Sequence, residues 1–152
     1  MAAGLNPSMN SDQSGTIVLT IGSRLEHLSM VHALIEGLAS EFEIDEETTT
    51  ALQIAVIEAG TNAIQHGNVF ASDKIVRFEF RVQPKEICVW VADFGKGFDP
   101  KMVANPTDES ALLDPHGRGL FLMRALMDDV TFETRPDYGT TVCLKKKCSC
   151  GA

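Results

Sequence analysis

The chain is poor in positive charge. Its 152 residues hold 13 Lys and Arg against 21 Asp and Glu, a formal net charge of −8, and the sequence pI is near 4.9. Sequence-independent nucleic-acid binding needs basic surface, so direct nucleic-acid contact is not expected. Apolar runs of membrane-spanning length, about 20 residues, are missing too, and no membrane association is expected. The first residues lack the basic region and apolar core of a signal peptide. They read instead as a flexible lead-in over 1–15, rich in Gly, Asn and Ser. The expected compartment is the cytoplasm. No GxxxxGK[ST] phosphate loop occurs, which excludes a Walker-type nucleotide site. No repeat or linker divides the chain, so one domain is expected over 16–146, followed by a flexible tail over 147–152. Of four cysteines, Cys88 and Cys143 fall in apolar strand patterns and read as small core residues. Cys148 and Cys150 form a lone CxC in KKKCSCGA, weak evidence for zinc, and read as part of a frayed tail.

What is present suits a globular domain: 44% hydrophobic and 22% charged residues, at a length that can bury a core. Thr16 to Ile21 reads as a strand. Ser23 with Glu26 reads as a capping box opening a helix with Leu25, Leu28, Val31, His32, Ile35 and Leu38 on its apolar face. His32 there reads as a core or interface residue without chemistry. Asp45 is the expected N-cap of a second helix, with Glu46 and Glu47 suited to its first turn, and Gly67 is its expected stop. Val76, Phe78, Phe80 and Val82 alternate with Arg77, Glu79 and Arg81, the period of a half-exposed strand. After a turn at Pro84-Lys85, the apolar run Ile87–Ala92 suggests a central strand. Asp99 to His116 reads as a lid-like loop, Gly117-Arg118-Gly119 as the opening of a third helix, and Val130–Thr134 and Thr140–Lys146 as closing strands. The expected class is α+β: a two-layer sandwich whose mixed, mostly antiparallel sheet is covered on one face by helices.

Three pieces of this layout carry polar chemistry. Glu58, Asn62 and His66 recur at four-residue spacing in the apolar stretch IAVIEAGTNAIQHGN, so they lie near one helix face. A buried polar stripe needs partners, from protein or from ligand. Asp93-Phe94-Gly95-Lys96-Gly97 follows the most apolar strand. A carboxylate there can accept from an amine, and the glycines let backbone approach a ligand. Gly117-Arg118-Gly119 at a helix start suits phosphate. Each piece alone is commoner as packing or turn geometry than as a binding site. Their co-occurrence in this order, with a lid-like loop between, is much less expected by chance.

Together, EAGTNAIQHGN, DFGKGFDP and GRGLFLMRALMD resemble the asparagine box and two glycine boxes of the GHKL (histidine kinase-like) ATP-binding superfamily, whose domain is the Bergerat fold. More narrowly, they are similar to those of bacterial anti-sigma factors that are also serine-protein kinases. The resemblance runs from Thr16 to Lys146, and GTTVCLKK fits it as well.

The resemblance implies a cleft for ATP and Mg²⁺. Asn62 would be the metal ligand, an amide oxygen being a suitable hard donor, and Asp93 would recognise the adenine amino group. Gly95 and Gly97 would allow the close turn, Gly117, Arg118 and Gly119 would close over the phosphates, and Thr140 would support the adenine end. Glu58 would be the general base. His66 either contacts nucleotide or caps the helix end, and the residues do not separate the two. Lys96 and Arg118 are candidates for phosphate contact; a solvated loop lysine is the commoner explanation for Lys96. The implied partners are an anti-sigma-factor antagonist as phosphoacceptor, a sigma factor, and a second copy of the chain, met through the first strand and helix. The alternative is a non-catalytic, nucleotide-dependent binding module. Sensor histidine kinases and hydrolytic ATPases fit less well, since they need further domains.

Overall fold

The computed structural model describes residues 15–96, 115–135 and 139–148. Alternation builds the sheet. In β2 (Ile75–Gln83), Val76, Phe78, Phe80 and Val82 are all buried, while Arg77, Glu79 and Arg81 reach solvent on the other face. The remaining strands are β1 (Gly15–Gly22), β3 (Glu86–Ala92), β4 (Asp129–Arg135) and β5 (Gly139–Lys147). They pair in the order β1-β2-β3-β5-β4. All four pairings are antiparallel, so the sheet is not mixed among the described residues. The β4–β5 hairpin inserts β5 beside β3. β4 therefore runs parallel to β3 without pairing to it.

β3 is the middle strand, as its apolar run implied. Ile87, Val89 and Val91 pair with Val82, Phe80 and Phe78 on the helix side. On the open side, Trp90 lies under the Arg81 guanidinium, 4.8 Å from the ring centroid, a cation–π contact that shields an otherwise bare indole. Cys88 is buried beside it, and burial pushes its thiol up to about 11. A thiol so rarely ionised is a packing residue.

Among the described residues, three helices cover the other face. α1 (Leu28–Glu41) buries Leu28, Val31, Ile35 and Leu38. α2 (Glu46–Asn62) lies between α1 and α3 (Pro115–Leu126). Asp45 caps α2 as its position implied, accepting from Thr48 N–H at 2.8 Å and the Thr48 hydroxyl at 2.7 Å. Among the described residues, no helix is long and apolar enough to cross a membrane.

Four local expectations change. Ser23 caps nothing: a 3-10 turn (Leu25–His27) precedes α1 and neither has a side-chain cap. The Ser23 hydroxyl is buried and donates to the Lys74 carbonyl at 2.9 Å. A tertiary partner outcompetes the local one. His32 is exposed, which removes the core alternative for it, because one step from Val31 rotates it about 100° off the core stripe. α3 starts at Pro115, inside the expected loop; residues 97–114 lie outside the described part. β5 extends to Lys147, and Cys148 donates its N–H to the Lys85 carbonyl at 3.0 Å and packs on the core. The chain is thus held slightly beyond the expected boundary at 146.

Candidate functional site

The C-terminal end of α2 does not fray. It widens into a π turn over Ala63–Gly67, closed by Asn68 N–H on the Ala63 carbonyl at 2.8 Å. Such one-turn π segments often mark functional sites. Glu58 and Asn62 sit just before it, both half-buried on the same face. Neither side chain makes a hydrogen bond or ion pair among the described residues. Half-buried polar groups left open in this way are available to a ligand. His66, on the π turn, is exposed.

Asp93 forms the second part. It is 7% exposed, and its Oδ1 accepts from Gly95 N–H at 3.0 Å and Thr140 N–H at 3.2 Å. Its own N–H donates to the Thr140 carbonyl at 2.9 Å. Burial pushes the carboxyl above its ordinary value, against the opposing effect of those two N–H donors and of Lys74. Three glycines crowd around it. A Cβ at Gly67 would strike Asp93 Oδ2, one at Gly95 would strike the Gly67 carbonyl, and one at Gly139, where φ is +93°, would strike the Asp93 carbonyl. Only glycine allows this approach. Among the described residues both donors fall on Oδ1, so Oδ2 of this fixed carboxylate is left to meet an N–H.

Gly119 joins the third part to the first. It is buried in α3, and a Cβ there would stand 2.9 Å from Glu58 Oε2 and 3.3 Å from Asn62 Nδ2. Because α3 starts at Pro115, Gly119 lies inside the helix and has no free N–H to offer. Its contribution is an absent side chain. Gly117 is in the first turn, where amides lack intrahelical partners, and Arg118 is exposed. Gly97 lies outside the described residues; Lys96 is exposed.

The fold therefore assembles Glu58, Asn62 and Gly119 before the π turn, and Asp93, Gly95, Gly139 and Thr140 around Gly67, its last residue. Open amide and carboxylate oxygens beside glycine-lined backbone fit a nucleotide and a hard cation. Among the described residues, no group of three or more His, Cys, Asp or Glu is placed to hold a metal. A cation bound at Asn62 would complete its shell with phosphate oxygens and water, as Mg²⁺ commonly does.

Residues 21–146 match the family model for the histidine kinase-like ATPase domain. The chain belongs to that family. Within it, the chain is one of the anti-sigma-factor serine kinases. It is 33% identical to the serine-protein kinase RsbW of Bacillus pumilus over 141 residues, covering 86% of this chain and 84% of the relative. It is 31% identical to the anti-sigma F factor of Clostridium novyi over 127 residues, covering 82% and 89%. Among solved structures, the fold is similar to the RsbU and RsbW domains of a Mycobacterium tuberculosis protein. The TM-score is 0.61 at 18% identity, and the match covers 91% of this chain but 34% of that one.

Three residues that shape this candidate site are not singled out by the sequence. The sequence marks Gly67 only as a helix stop, and Gly139 only as the first residue of GTTVCLKK. Asn68 was not singled out, yet it is 2% exposed and ties three segments together. Their partners are far away in sequence, and a polar residue straight after a helix end was the single available signal for Asn68.

Proposed function

We infer that the chain is an ATP-dependent protein-serine kinase and anti-sigma factor, which phosphorylates a small antagonist protein and sequesters a sigma factor. The placement of Glu58 beside Asn62, under the bare backbone of Gly119, supports this reading most strongly. Asp93 Oδ2 accepts the adenine amino group, while Oδ1 is held by Gly95 and Thr140. Asn62 offers its amide oxygen to Mg²⁺. When bound, the ion neutralises phosphate charge that builds up during transfer. Gly119 leaves room for the phosphates, and the Gly117 amide and Arg118 guanidinium face them from α3.

Glu58 takes the proton from the acceptor serine hydroxyl. The serine oxygen bonds the γ-phosphorus, the bond to the bridging oxygen breaks, and ADP leaves with that electron pair. Positioning and electrostatics supply most of the rate in such transfers, so a half-buried carboxylate with no pairing cation among the described residues suits the role of base. His66, exposed on the π turn, contributes nucleotide contact rather than proton transfer.

The functional unit spans 16–146, with Lys147 and Cys148 held just past that boundary, and works in the cytoplasm. It pairs with a second copy through β1 and α1. β1 supports this, since it is the sheet's edge strand, carries no charged residue and leaves Val18 48% exposed; such edges are usually blunted or paired. Incubating the protein with labelled ATP, Mg²⁺ and candidate antagonists tests the reading. Label on an antagonist serine is expected, together with nucleotide-dependent exchange between antagonist and sigma factor. ATP binding without transfer to any candidate would favour the non-catalytic module.

A further inference from the structure

We propose that Asn68 is the positioning residue that aims the Asp93 loop at its nucleotide, an inference that rests on the ATP reading of the cleft. Asn68 is 2% exposed. Its Nδ2 donates to Ser23 Oγ and to the Ile75 carbonyl, each at 2.8 Å. Its Oδ1 accepts from Phe94 N–H at 2.8 Å. The amide can face only this way, since its oxygen must meet the N–H and its nitrogen the carbonyl.

One side chain thereby locks the end of β1, the start of β2 and the loop after β3. The peptide following Asp93 is gripped from both sides. Asn68 holds Phe94 N–H, and Thr140 holds Asp93 by its N–H and by Oδ1. Gly67, the preceding residue, lies against Oδ2. The same two-residue step thus sets both the height and the direction of the carboxylate relative to α2.

The turn that presents Asn68 is strained. Val69 and Phe70 have φ of 51° and 56°, a left-handed conformation that β-branched and bulky residues rarely take. Their side chains are 70% and 53% exposed, so burial does not account for it. Backbone bonds from Phe70 N–H to Ile64 and from Ala71 N–H to Asn68 hold the turn. Strain held at a cleft edge points to a geometric requirement there, and turning Asn68 inward is that requirement.

Adenine presents an amino donor where guanine presents a carbonyl oxygen, so a correctly aimed Asp93 separates ATP from GTP. The test compares Mg²⁺-supported ATP and GTP binding, with thermal melting, for wild type, Asn68→Ala, Asn68→Asp and Ser23→Ala. Asn68→Ala is expected to lower the ATP preference at least about tenfold and to raise the KM for ATP more than it lowers kcat. Asn68→Asp keeps an oxygen for Phe94 N–H but sets a buried carboxylate oxygen against the Ile75 carbonyl, so it should melt lower than wild type. Ser23→Ala breaks the far end of the network, so it should melt lower with the preference intact. If Asn68→Ala is too unstable to assay, Asn68→Gln, which displaces the amide, is expected to show the same loss. Wild-type preference in Asn68→Ala or Asn68→Gln, or an equal loss in Ser23→Ala, would overturn the proposal. A wild type that does not prefer ATP would instead overturn the ATP reading itself.

Discussion

Gly119 of α3 lies directly against Glu58 of α2, close enough that an added methyl group would stand 2.9 Å from Oε2. The two helices meet there without a side chain between them. Gly119→Ala should therefore have effects of opposite sign. Inside a helix, alanine is more stable than glycine by about 1 kcal/mol, which holds or raises the melting temperature. The same methyl displaces Glu58 and Asn62, so phosphotransfer should fall about tenfold or more. Calorimetric melting and a transfer assay on one preparation check both. Full activity in Gly119→Ala would mean that the contact does not shape the site.

Asp93 gives a prediction in pH. Burial holds its folded carboxyl above the ordinary 3.8, while the unfolded chain titrates near that value. As pH rises above 3.8, the unfolded state loses this proton before the folded state does, so the group's contribution to stability falls until the folded value is passed. Asp93→Asn removes that loss. Without nucleotide it should melt higher than wild type at pH 7, with the gain vanishing towards pH 4. It should also lose ATP affinity, since Oδ2 no longer offers a carboxylate oxygen. A melting difference independent of pH would contradict the assignment.

Val69 is strained and its side chain is mostly exposed. Val69→Gly should stabilise the protein by about 0.5–1 kcal/mol, relief of a left-handed valine exceeding the entropy cost of glycine. Phosphotransfer should stay within about twofold, because no role in the chemistry falls to this side chain. Urea titration measures the first and the kinase assay the second. Destabilisation would show that the turn is not under strain.

Features with a local period were the legible ones. Alternation from Val76 to Val82 marked both β2 and its buried face, and the apolar run after Ile87 marked the central strand. Asp45 could be read as a cap because its partner Thr48 is three residues away. The glycines of the Asp93 loop and of α3 were visible as motifs, but not what they touch. Ser23 misled for the same reason: its real partners, Asn68 and the Lys74 carbonyl, lie on other elements. Gly67, Asn68 and Gly139 reach the candidate site through Asp93 and Phe94, which no local pattern brings beside them. The π turn escaped as well, since it replaces the regular helical period at the end of the stripe. Long-range polar contacts between elements, rather than the elements themselves, were what the sequence concealed.

Glu58 is the residue on which catalysis rests, and Glu58→Gln is its most direct test. Transfer of labelled phosphate from ATP to an antagonist serine, measured beside Mg-ATP affinity, separates chemistry from binding. A general base contributes about 10²–10⁴-fold. Glu58→Gln should lose at least about a hundredfold in transfer while its ATP affinity stays within about twofold of wild type. Equal transfer by wild type and Glu58→Gln, with ATP bound by both, would contradict the assignment of Glu58 as the base.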